Sequence, residues 1–588
     1  MKLSALTTML FLAMTNTVSA SEAPLEQRRK ALNSLLAEQW QYVLSTNPEF
    51  ASILGDERWN DKITDASQEA IDRDYAEAKR FLKQCQAIDT TGFPEQEILN
   101  KTLMVEQLRN RIEDQEYREW EMPVNQMFGV HIDTPQLVDL LDFTSVKDYD
   151  DYIARLRQFP RLFDQTISHM RKGIEHGLMP PRFLLEKVVT QSASIITASP
   201  ETSPYAKPLE KLPKTFSETD QKRIRQELLS AVRDSINPAY ARFTTFVKEE
   251  YAPKGRTDVG LWSLPNGTPR YEKNVRRQTT TSLTAEEIHK IGTREVARIE
   301  KEMLVIARKQ GFKNLETFNA SNDKNKELRA KSRQHMLGLY RLHIDNMYLK
   351  LPQLFGRLPK AKVDVMQVEE FREKEASGAQ YQQGTPDGSR PGHVMVNTSD
   401  AQSRKIINIE STAYHEGVPG HHLQISIAQE LPTLPPFRQQ GGYTSYVEGW
   451  ALYSERLGKE VGFYRDPYSD YGRLQDEMLR AIRLVVDTGL HSKKWTREQV
   501  VTYFHDHSAI DEVEVQAETD RYIVMPGQAL GYKIGQLKIL ELREKSKKAL
   551  GTKFDIREFH DEILGAGALP MNVLEQRIER WIAVKRKP

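Results

Sequence analysis

Apolar positions recur along most of this chain with the three-to-four-residue spacing of helices buried on one face, and turn and cap residues punctuate the runs. In EQRRKALNSLLAEQWQYVL, Ala31, Leu32, Leu35, Leu36 and Trp40 form one stripe, and Asn47-Pro48 ends it. TAEEIHKIGTREVARIEKEMLVIARKQG opens with a capping box from Thr284 to Glu287 and closes at Gly311. GQALGYKIGQLKILELREKSKKALG follows Pro526 and ends at Gly551; PMNVLEQRIERWI starts with Pro570 at a favourable first helical position. The pattern predicts a mainly α protein.

One stretch departs from it. GTPDGSRPGHVMVNTSD, residues 384 to 400, packs Gly, Pro and Asp around a short strand-like run, Val394 to Val396. Such a strand, at the edge of a small sheet, would offer its backbone to an extended peptide. The loop-rich residues 259 to 284 mark the expected boundary between an N-terminal helical lobe, 21–280, and a C-terminal helical lobe, 281–588.

Charge narrows the class. Lys and Arg number 83 against 82 for Asp and Glu, so a net charge of +1 gives no electrostatic reason to bind nucleic acid or an acidic membrane. Residues 1–20, with Lys2, an apolar run through Met14 and the small-residue ending Val18-Ser19-Ala20, read as a cleavable signal peptide. The expected location is therefore periplasmic or secreted, with no membrane association after cleavage. The only cysteine is Cys85, a helix residue without chemistry, so no lipid-accepting cysteine follows the signal and any metal must be held by His and carboxylates.

The candidate chemistry lies in STAYHEGVPGHHLQ, residues 411 to 424. In a His-Glu-x-x-His helix the two imidazoles, four residues apart, reach one zinc while the Glu polarises the bound water. Here His421 follows His415 by six residues and would lie on another face of an unbroken helix; His422, seven on, sits ~10.5 Å along the axis. Pro419 cannot sit inside a regular helix, and Gly417 and Gly420 flank it, so the helix must kink or bulge. If two residues loop out, His421 falls one turn after His415. We therefore favour His421 over His422 as second ligand.

A catalytic zinc takes three protein ligands and keeps an open position. GGYTSYVEGWALYSERLG supplies Glu448 as the third; Glu455, beside Arg456, reads as a solvated or paired carboxylate. Glu416 is the candidate general base. For the oxyanion donor, TDRYIVMPGQALGYKIGQ offers Arg521, Tyr522 and Tyr532, of which Tyr532 is preferred; Arg521 could equally pair with Asp520. His393 is an outside candidate, Tyr414 a core residue, and His505 and His507 belong to an exposed helix and loop.

YHEGVPGHHLQ, GSRPGHVMVNT, YVEGWALYSE and RYIVMPGQALGYKIGQ resemble the bacterial domain-of-unknown-function 885 family, itself similar to helical zinc peptidases of the thermostable carboxypeptidase and oligopeptidase type. The resemblance implies a large helical zincin-like body with a deep cleft, a single Zn2+ at its floor, His415, His421 and Glu448 as ligands, and Glu416 as base. The expected activity is hydrolysis of peptide bonds in small peptides. The alternatives are a periplasmic binding or scaffold protein with a stabilising metal, and a zinc hydrolase of another amide or ester. Oligomeric state is not legible.

Overall fold

The computed structural model describes residues 23–368, 373, 377–385, 390–432 and 434–587. The signal-peptide expectation for residues 1–20 lies outside them. The protein is mainly helical with one small sheet, and among the described residues no helix is long and apolar enough to cross a membrane.

Packing divides the described residues into two compact units: those from residue 23 to Thr46 with Ser67–Glu116, and Asn47–Ala66 with the described residues from Tyr117 onward. The first unit is built on α1 (Leu25–Thr46), α2 (Gln68–Ala87) and α3 (Glu95–Tyr117). The stripe read from the sequence buries Leu32, Leu35 and Leu36, while Cys85 is buried in α2.

In the second unit, α4 (Phe159–His176), α5 (Arg182–Ile195) and α6 (Asn237–Phe246) enclose an aromatic core that includes Phe163, Tyr205, Tyr240 and Phe243. Next come α7 (Gly267–Thr279), α8 (Ala285–Lys309), whose capping box at Thr284 forms as expected, and α9 (Arg333–Tyr348). Tyr271 and Val275 of α7 share a core with Leu484, Leu530 and Ile534, so the boundary expected near residue 280 falls within one compact unit.

The sheet joins β1 (Val363–Gln367), β2 (Ala379–Gln382) and β3 (Gly392–Val396) in the order β1-β3-β2. β3 runs parallel to β1, with Val365 opposite Val394, and antiparallel to β2, with Tyr381 opposite Val394. The run Val394 to Val396 is thus the middle strand and not an edge. Its two flanking strands take up its backbone, and among the described residues β1 and β2 are the outer strands.

The remaining helices frame the site: α10 (Ile409–Glu416), α11 (His421–Gln429), α12 (Thr444–Glu460), α13 (Pro467–Ser492), α14 (Glu512–Val524) and α15 (Leu530–Leu550). α12 and α15 meet backbone to backbone. A Cβ at Gly535 would fall 1.8 Å from the Ser445 carbonyl oxygen, and one at Gly449 2.5 Å from the Gly535 Cα. Only glycine permits that approach.

Candidate metal centre

The helix carrying His415 ends at Glu416, and a new one begins at His421. The bulge expected from Pro419 is therefore a full break: Gly417 to Gly420 form a four-residue link between two helices. Gly420 lies so close to the end of α10 that a Cβ there would meet the His415 carbonyl oxygen at 1.9 Å. The link is held from outside by α12, because the Pro419 carbonyl accepts from Trp450 Nε1 at 2.9 Å and from the Ser454 hydroxyl at 3.3 Å.

The break brings the two imidazoles together, with ring centroids 4.8 Å apart and planes near perpendicular. His415 Nε2 lies 3.6 Å from Glu448 Oε2, and His421 Nε2 3.5 Å from the same oxygen. These three are the one group of His, Cys and carboxylate residues among the described residues whose ligand atoms converge within 4.8 Å. A tetrahedral zinc with bonds of ~2.0–2.1 Å separates its ligand atoms by roughly 3.4 Å, so the donor set and its spacing fit that ion. His422 is turned away. Its Nε2 faces the Ala361 carbonyl at 3.1 Å and its Nδ1 the Tyr381 hydroxyl at 3.1 Å, and burial pushes its pKa down to about 4. It ties the start of α11 to β2.

With protons in place of a metal, burial would lower His415, but hydrogen bonds to Glu448 and Glu455 outweigh it and push the imidazole up to about 10. Burial works against the Glu448 carboxylate too, yet the two histidines hold it well below the usual range. A cation entering this trio displaces protons, so its affinity falls as pH falls.

Glu455 is a paired carboxylate, one of the two expectations, but its partner is His415 and not the adjacent Arg456. It is buried, 2% exposed, and its Oε1 accepts from His415 Nδ1 at 2.8 Å, while Arg456 turns to Glu460. This contact fixes the imidazole so that Nε2 points at Glu448, the role that carboxylates commonly play behind metal-bound histidines. Replacement of Glu455 by Ala is expected to weaken zinc binding ~10–100-fold, and by Gln less, measured by competition with a chelator. An unchanged affinity in the Ala variant would remove Glu455 from the site.

Behind Glu455 runs a stripe of polar side chains on α13. Asp476, Arg480, Arg483, Asp487 and His491 recur at helical spacing along a helix that also buries Leu479, Ala481, Ile482, Leu484, Val485 and Val486. Asp476 accepts from the Ser411 hydroxyl, and Arg480 Nη2 stands 3.7 Å from Glu455 Oε1. Arg483 reaches Glu518 at 2.9 Å and lies over the Tyr532 ring, 4.6 Å from its centroid. Asp487 accepts from the Tyr271 hydroxyl and from the Gly527 N–H, securing the turn before α15.

The oxyanion candidates separate. Tyr522 is fully buried, donates to Glu518 and accepts from Arg483, so its hydroxyl is committed. Arg521 pairs with Glu518 at 3.1 Å and not with Asp520, which takes Lys187 and Arg497. Tyr532, at the start of α15, receives a hydrogen bond from Arg521 at 3.4 Å. His393 sits on the middle strand β3 and belongs to no ligand cluster among the described residues. Tyr414 is in the core as expected; His505 and His507 pair with Glu512 and Glu300. Glu416 directly follows His415, is half-buried, and makes no ion pair or side-chain hydrogen bond among the described residues.

Residues 48–578 match the family model described as a bacterial protein of unknown function, DUF885. The crystal structure of a candidate lipoprotein from Colwellia psychrerythraea is similar with a TM-score of 0.90 and 31% identity, over 96% of this chain and 100% of that one. A candidate lipoprotein of unknown function from Shewanella oneidensis has the same fold, with a TM-score of 0.72 and 17% identity over 94% and 99% of the two chains. No curated protein matches the chain.

Proposed function

The chain belongs to the bacterial DUF885 family, and from its site we propose that it is an exported zinc metallopeptidase acting on small peptides. The observation that carries this reading is the convergence of His415, His421 and Glu448 on one point, with a neighbouring carboxylate, Glu416, left out of the ligand set. A stabilising zinc fills its coordination with four protein ligands, whereas a hydrolytic one keeps a position open and a base at hand.

A zinc ion held by His415, His421 and Glu448 would supply a Lewis acid and make water at the site more acidic. Glu416 accepts the water's proton and returns it to the leaving amine; among the described residues no fixed partner occupies its carboxylate oxygens, which leaves them available for that traffic. Tyr532 donates to the oxygen that gains charge on the attacked carbonyl. Glu455 holds His415, and the α12 clamp on Pro419 holds the link, so neither histidine must be ordered when substrate arrives.

A peptide is favoured over other amides by the sheet. Among the described residues β2 has a strand neighbour on one side only, and its Tyr381 bonds to His422, next to the candidate ligand His421. A main chain laid along that free edge gains backbone hydrogen bonds beside the reacting centre. That the Colwellia and Shewanella neighbours are described as candidate lipoproteins agrees with export.

The test is turnover of a mixed peptide library, read by mass spectrometry, with matched ester and non-peptide amide panels. Cleavage of peptides is expected, with loss on chelation and recovery when one zinc per chain is restored. Zinc bound without turnover of any library member would leave the binding-protein alternative standing.

A further inference from the structure

Two tyrosines near the site are wired in opposite ways. The Tyr522 hydroxyl is spent on Glu518. Tyr532 has its oxygen bonded to Arg521 Nη2, and a guanidinium carries donors only, so the tyrosine oxygen must accept and its own proton must point elsewhere. No described residue takes that proton. Arg521 is in turn held in orientation by Glu518 at 3.1 Å and by the Gln528 side-chain oxygen at 2.8 Å. The Tyr532 ring is covered by Arg483, which is itself fixed by Glu518 and Tyr522.

Two elements, α13 and α15, connect this wiring to the candidate metal centre. Arg480 and Arg483 are three residues apart on α13, ~4.5 Å along its axis, and they face Glu455 and Tyr532 respectively. From the other side, Gly535 of α15 meets Gly449, the neighbour of Glu448, backbone to backbone. Side chains of both Glu448 and Arg521 remain 21% exposed, and Tyr532 keeps 9% exposure.

We propose that Arg521 is a positioning residue: by donating to the Tyr532 oxygen it aims the phenolic proton at the substrate oxygen that becomes negative in the transition state. The proposal rests on the peptidase reading and adds to it the group that sets the donor's direction. Glu518 and Gln528 keep the guanidinium in plane, and Arg483 over the ring face draws electron density from the phenol, which strengthens the O–H as a donor. Arg521 thus acts through Tyr532 and not on substrate.

The test is calorimetric. Zinc-loaded wild type, Tyr532→Phe, Arg521→Gln, Arg521→Lys and the Phe/Gln double variant are titrated with a phosphinic peptide, whose tetrahedral anion mimics the transition state. The same peptide with an N-methylated scissile amide serves as planar reference. Tyr532→Phe and Arg521→Gln are each expected to lose ~10-fold or more in affinity for the phosphinic peptide and under ~2-fold for the planar one. The double variant should lose no more than Tyr532→Phe alone, and Arg521→Lys, which keeps one donor, should recover part of the loss. Unchanged phosphinic affinity in Arg521→Gln, or losses that multiply in the double variant, would overturn the proposal while leaving the peptidase reading intact. Wild-type protein that binds the phosphinic peptide no better than the planar one would overturn both.

Discussion

Exchange of Glu416 for Gln should abolish turnover, lowering kcat by ~10²–10⁴-fold while zinc content and thermal stability stay at wild-type values. The separation is expected because Glu416 lies outside the converging trio and makes no ion pair or side-chain hydrogen bond among the described residues. An amide of the same shape removes the basic oxygen and little else. Three measurements on one preparation decide the matter: metal content by atomic emission, the unfolding midpoint, and peptide turnover. Turnover within fivefold of wild type would exclude Glu416 as base, and joint loss of zinc and activity would place it in the structure of the site and not in its chemistry.

The second large effect separates two adjacent histidines. His421→Ala should lose zinc, with a fall in affinity beyond the ~100-fold upper end seen for groups that merely support a ligand, and Glu448→Ala should behave alike. His422→Ala should keep zinc within that range, because its imidazole bonds to Ala361 and Tyr381 and faces away from the trio. Its cost should appear as stability: removing it takes a buried donor from the Ala361 carbonyl and one of the partners of the Tyr381 hydroxyl, ~1–3 kcal/mol in denaturant unfolding. Zinc retained in His421→Ala and lost in His422→Ala would reverse the assignment.

Most of the helical framework was legible because helix signals are local. The capping box at Thr284 and the stop at Gly551 are each read within four residues and stand where expected. The sheet was not, because strand order is set by long-range pairing: nothing within Gly392–Val396 says that β1 and β2 will flank it. At the site, the incompatibility of Pro419 with a continuous helix was readable, but a four-residue break and a two-residue bulge look the same in sequence. Glu455 could have been found. It lies seven residues from Glu448 and so on the same face of α12, which makes it a second carboxylate turned toward the histidines and not a competitor for solvent. The α13 stripe was equally visible as charges at helical period in the apolar DEMLRAIRLVVDTGLH, a pattern that has no place in a simple core helix. The pairing of Arg521 with Glu518 was beyond reach, since Asp520 was the nearer acid in sequence and only the fold commits it to Lys187 and Arg497.

In a continuous His-Glu-x-x-His helix, one rod presents both imidazoles. Here the rod is cut, and α12 takes over: it carries Glu448, backs His415 through Glu455, and grips the Pro419 carbonyl through Trp450 and Ser454. Three supports of one centre thus share a single rigid body, seated on α15 by a contact that only Gly449 and Gly535 allow. Changes along α12 are then energetically entangled, and the cost of two of them cannot be read from each measured alone.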